Sequence, residues 1–90
     1  MMVKLKRVVL DVLKPHQPDA LAFCRELAQL GTDYRVSLNV DEMDENTQTL
    51  QLEIRGESID LGPIEEAIAR MGASVHSVDQ VEVLNEPGEE

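Results

Sequence analysis

The alternation of apolar and polar residues divides the chain into six segments. From Leu5 to Leu13, Val8, Leu10 and Val12 fall on one face, and Arg7, Val9, Asp11 and Leu13 on the other. That period of two predicts a strand. Its second face is half apolar, which suits a central strand with a partly covered back. Residues 1–4 are expected to fray. Pro15 and Pro18 end the strand, because proline cannot donate to a ladder. A helix is predicted from Pro18 to Leu30, with Ala20, Phe23, Cys24, Leu27 and Leu30 on its core side and Gly31 as a left-handed cap.

Thr32 to Met43 predicts the second strand, with Tyr34, Val36, Leu38 and Val40 half-buried. Asp44-Glu-Asn46 is a turn. Thr47 to Arg55 returns as the third strand, with Leu50, Leu52 and Ile54 inward, so the two form a hairpin. Asp60 predicts the N-cap of a second helix, stapled by Ile59 and Ile64. Ile64, Ala67, Ile68 and Met71 are its core stripe, and Gly72 caps it. A fourth strand follows from Ala73 to Leu84. Residues 1–84 thus form one domain, and 85–90 an acidic tail expected to be mobile.

The order is β-α-β-β-α-β. With right-handed crossovers it gives the α+β ferredoxin-like architecture: a four-stranded antiparallel sheet, order 4-1-3-2, with both helices on one face. The first strand is then central and antiparallel to the last. Its C-terminal end collects Asp11, His16, Asp41, Glu42, Asp44, Glu45, His76 and Asp79. Asp79 shares the core-face parity of Val75, Val81 and Val83, an awkward place for a carboxylate. A bulge near Ser77 would turn Asp79 outward and Val78 inward and bring His76 to the open face with Asp11.

Composition narrows the function. The net charge is -10, from eighteen acidic and eight basic residues. Such a field repels phosphate backbones, which argues against nucleic acid as a partner. It suits a cation, a basic partner or plain solubility. Only 2% of residues are aromatic, so the core is aliphatic. A chain this short buries about 60–65% of its unfolded surface, and a core that thin makes stabilisation by assembly plausible. The single Cys24 lies on a core stripe and excludes an internal disulfide or a Cys-x-x-Cys site. No apolar run approaches the length of a membrane span. A soluble, cytoplasmic protein is expected.

The candidate metal ligands are Asp11, His16, His76 and Asp79. Oxygen-rich sites suit calcium or magnesium, the first expectation; histidines shift the preference towards a transition metal. Against this stand blander readings. Asp11 could pair with Arg7 or Arg55, and the hairpin acids could be a solvated turn. The open sheet face carries Val9, Leu13, Arg7, Arg35, Glu53 and Arg55, which fits either a self-association patch or an ordinary wet face.

The runs Leu10-Asp-Val-Leu-Lys-Pro-His16, Val40-Asp-Glu-Met-Asp44 and His76-Ser-Val-Asp79 resemble an archaeal-type family, domain of unknown function 211. The likeness extends from Val3 to Val83. Val78 stands where that family's motif would have Ile. The resemblance implies a ferredoxin-like domain that assembles into homo-oligomers, with Asp11, His16, His76 and Asp79 acting as a group. It implies no activity. The expectation is a non-enzymatic binding or regulatory module that takes a metal ion or small ligand. The alternative is an amino-acid sensor similar to ACT domains, which bind ligands near the first strand–helix turn, here Lys14 to Pro18. That turn lacks the glycine such ligands approach. The phosphate loop of acylphosphatases and the sheet-face aromatics of RNA-binding relatives are also missing.

Overall fold

The computed structural model describes residues 2–87. β1 (Met2–Pro15) leads into α1 (Ala20–Ala28). β2 (Arg35–Met43) and β3 (Thr47–Arg55) form a hairpin, followed by α2 (Leu61–Arg70) and β4 (Ser74–Glu86). The sheet is antiparallel in the order β2-β3-β1-β4. This is the ferredoxin-like arrangement, with β1 and β3 inside. Val8, Leu10 and Val12 meet Leu50, Leu52 and Ile54 of β3, and Phe23, Leu27, Ile64 and Ile68 of the helices close over them, all essentially solvent-free. Burial of each such side chain is worth about 1.5–3 kcal/mol.

Both ends of the chain are more ordered than the sequence suggests. Residues 2–4 do not fray: Met2, Val3 and Lys4 pair with Glu86, Asn85 and Leu84. Asn85 and Glu86 therefore belong to β4 rather than to a tail; residues 88–90 lie outside the described residues. A four-charge clasp holds this extension. Lys4 Nζ lies 3.2 Å from Glu57 and 3.1 Å from Glu86, and Lys6 Nζ lies 3.0 Å and 3.3 Å from the same two carboxylates.

Helix ends also differ from expectation. Asp19 caps α1, accepting from Ala22 N–H at 2.8 Å. The helix stops before Leu30, and Gly31 is not in the left-handed region, which among the described residues only Gly72 visits, at φ 83°. Gly31 is needed for another reason: a Cβ there would stand 2.3 Å from the Tyr34 ring. Tyr34 packs across that gap and accepts the Asp60 N–H on its hydroxyl at 2.8 Å. Asp60 occupies the N-cap position of α2, yet its carboxylate makes no capping bond; the tyrosine satisfies the backbone in this region instead.

The clasp predicts an acid response. Hydrogen bonds from Lys6, then Lys4, hold the Glu57 carboxyl below its usual 4.5, and Lys4, then Lys6, do the same for Glu86. Groups with depressed values stabilise the fold above the ordinary value and lose that contribution as pH falls through the folded one. Melting temperature should be flat between about pH 5 and 7 and fall below about pH 4.5. The Glu57→Gln/Glu86→Gln variant should melt lower at pH 7 and show a shallower acid slope by circular dichroism. Equal slopes would mean that the clasp adds nothing.

Candidate functional site

β4 does not alternate simply. Against β1 the partners run Val8–Val81, Val9–Gln80, Leu10–Val78, Asp11–Ser77 and Val12–Val75, so Asp79 and His76 are each an extra residue. Directly opposed residues share a face. The two bulges therefore keep Val75, Val78 and Val81 on the helix side at a spacing of three. They also release Asp79 from the core-side position that plain alternation would assign it. The expected irregularity near Ser77 is thus a pair of bulges flanking it, with Val78 on the helix side opposite Leu10 and still 47% exposed.

The consequence is a histidine beside a carboxylate. His76 Nδ1 lies 3.5 Å from Asp11 Oδ2, with the imidazole 78% exposed and the carboxylate 26% exposed. Asp11, Val12, Leu13, Thr49 and His76 line a hollow of about 290 Å³ there. Asp11 does not pair with Arg7 or Arg55, as the blander reading would have it; both arginines bind Glu53.

The other two candidate ligands go elsewhere. His16 Nε2 is 2.9 Å from the carbonyl of Asp44. A carbonyl only accepts, so this nitrogen carries a proton and is not a metal donor in that state. Asp79 Oδ1 accepts the Ser77 hydroxyl at 2.6 Å. The structure therefore does not gather Asp11, His16, His76 and Asp79 into one site. Among the described residues, no group of three or more His, Cys, Asp or Glu is placed to hold a metal. The hairpin tip is organised around Asp44, whose carboxylate accepts from the Asn46 and Thr47 amides at 2.9 and 2.8 Å. These bonds, that from Thr47 first, hold its carboxyl below the usual range. Cys24 is half-buried, and desolvation pushes its thiol up, away from the reactive thiolate.

Sequence reasoning passed over Lys14. It is fully buried, with its ammonium 5.9 Å from the Phe23 ring centre. Nζ donates to the Pro15 carbonyl at 2.8 Å and to the Pro18 carbonyl. Burial lowers its pKa, opposed by the charge of Asp19. The signal was present: position 14 continues the inward parity of Val8, Leu10 and Val12. Directly across the ladder, Gln48 has its Oε1 shut from solvent without a donor. Lys14 thus clips the strand–helix turn shut from inside.

Two comparisons place the chain. The DUF211 family model, described as Uncharacterized ArCR, matches residues 6–86. The chain belongs to the DUF211 family. A relative, Uncharacterized protein MJ0319 of Methanocaldococcus jannaschii, is 35% identical over 77 residues, which is 86% of this chain and 79% of that protein. The DUF211 match takes in Asp11, His16, Lys14 and the bulged half of β4. No helix among the described residues is long and apolar enough to cross a membrane.

Lys14→Met keeps an unbranched side chain one atom shorter but leaves the Pro15 and Pro18 carbonyls without their donor. Urea unfolding should show a loss of about 1–3 kcal/mol. Unchanged or increased stability would show that the buried ammonium is a burden and not a clip.

Proposed function

We propose that this protein is a non-catalytic, homo-oligomeric binding module whose ligand contact is the Asp11–His76 pair. The observation that carries the reading is that pair itself, assembled by two bulges in an edge strand and opening onto a hollow. A regulatory role follows from such a site: binding there acts on the β1–β4 ladder, which joins the two ends of the chain. A divalent cation is the ligand that best matches the donors. One imidazole nitrogen and one carboxylate favour zinc, nickel or manganese over calcium and magnesium, the reverse of the order expected from the acids alone. Two side chains are too few for a closed site, so water or a second copy supplies the rest.

Self-association is supported by β4. Its outer edge is unpaired along 13 residues, and Val78, Val81, Val83 and Leu84 are 47–55% exposed. An open edge with apolar side chains is a template for another chain. The amino-acid-sensing alternative has less support, since Lys14 already occupies the carbonyls of the turn such a ligand would approach.

Native mass spectrometry of protein purified without chelator separates the two parts. More than one subunit is expected, with added zinc, nickel or manganese retained. Asp11→Asn and His76→Ala should lose the ion while the subunit count stays. In thermal melts, ion at about 100 times its Kd should raise apparent stability by about 2.7 kcal/mol. A monomer at micromolar concentration would remove the assembly. Silence with all five cations would remove the metal.

A further inference from the structure

The register of the sheet places three arginines in one line. Arg7 of β1 is directly opposite Arg55 of β3, and Arg55 is directly opposite Arg35 of β2. All three lie on the open face, since their neighbours Val8, Ile54 and Val36 face the helices. Adjacent strands are about 4.8 Å apart, so the row spans roughly 10 Å. Like charges directly opposed across a ladder are destabilising.

The compensation is incomplete. Glu53 accepts from Arg7 Nε, and the same oxygen, Oε2, lies 3.4 Å from Arg55 Nη2. Glu82 faces Arg7 from β4. No described carboxylate lies within ion-pair distance of Arg35, which is exposed, and Arg55 is 53% exposed. Of the chain's eight basic residues, Lys4 and Lys6 are held in the clasp and Lys14 is buried. This row holds three of the five that remain. On a chain of charge -10 it is a local excess of guanidinium, with more N–H donors than Glu53 engages. Four residues along β1 separate Arg7 from Asp11, roughly 13 Å, so this is a different place from the cation contact and does not rest on it.

We propose that Arg35 and Arg55 form a binding site for a small polyanion, a compact ligand carrying two or more carboxylate or phosphate groups. The forked guanidinium matches both groups. Ser37, opposite Glu53 on the same face, offers a hydroxyl beside Arg35. Glu53 is the built-in competitor: it remains with Arg7 and gives up Arg55 when the ligand binds. Long nucleic acid is disfavoured because its charge extends beyond the row into the negative field of the remaining surface. A ligand confined within about 10 Å, the screening length at 0.1 M salt, meets chiefly the arginines.

The test is a titration of the intact protein with pyrophosphate, and separately with citrate, at constant ionic strength set by sodium chloride. Backbone amide NMR reads the site. Saturable shifts are expected at Arg35, Ser37 and Arg55. Arg35→Gln and Arg55→Gln should each weaken binding about tenfold, as loss of a charge-assisted pair does. Glu53→Gln should tighten it, an effect that removal of a merely structural ion pair would not produce. Arg25→Gln, which removes one positive charge from α1, should leave affinity within about twofold. Pyrophosphate binding without citrate binding, or the reverse, identifies the preferred group. The proposal is overturned by an absence of saturable shifts up to about 10 mM, where a millimolar ligand would saturate. It is overturned equally by weakening as large in Arg25→Gln as in Arg35→Gln. If the anions instead lower the subunit count by native mass spectrometry, an acidic segment of a second copy occupies the row and the small-ligand assignment falls.

Discussion

Pairing between β1 and β4 governs what this molecule can present to a partner. β1 bonds β3 on one side and β4 on the other, and it is the strand through which β4 joins the sheet. A regular ladder continued from Val8–Val81 would set Asp79 opposite Leu10, on the helix side. A carboxylate there would stand against the aliphatic Leu10 and lose part of its hydration. The extra residues at Asp79 and His76 resolve the conflict. Valines then recur every third residue on the inner side, and the residue pushed out at position 76 meets Asp11. The same two irregularities keep an aliphatic residue opposite Leu10 and create the polar pair.

Charge is distributed as deliberately as apolar surface. The acids of the hairpin tip are arranged by local hydrogen bonds around Asp44. Four opposite charges fasten the extended ends of β1 and β4 at the other pole, in a molecule 56 Å long and 22 Å wide. The arginine row lies between, at the base of the β2–β3 hairpin. Exposed ion pairs contribute little individually, so these groups matter less as stabilisers than as a pattern. They fix which parts of an acidic surface can attract a cation and which can hold an anion.

Much of this was legible in the sequence, and the exceptions have physical causes. Alternation located β1, β2 and β3, and the apolar run after Gly72, rightly read as the cap of α2, located β4, which is exposed over most of its length. The strand order and the meeting of Asp11 with His76 followed from topology and one anticipated bulge. Gly31 was misread because a glycine after a helix has two uses: positive φ, and clearance for a neighbour. Only coordinates show Tyr34 filling the space. The chain ends were read as loose because their residues are mixed in polarity; what orders them is the ladder of Met2–Lys4 with Leu84–Glu86, to which the clasp with Glu57, far away in sequence, is added. Lys14 obeyed the alternation but is a lysine, and charge overrode parity in the reading. His16 and Asp79 sit in the expected region, yet each is engaged by a local partner that spacing alone could not reveal.

The Asp11–His76 pair depends on the β1–β4 register more than on any single side chain. Interstrand NMR contacts would measure it directly in uniformly labelled protein. Backbone cross-peaks linking Leu10 with Val78 and Val12 with Val75, and none aligning His76 or Asp79 opposite a β1 residue, are the predicted result. Cross-peaks pairing Leu10 with Asp79 and Val12 with Ser77 would describe an unbulged ladder, and would separate His76 from Asp11.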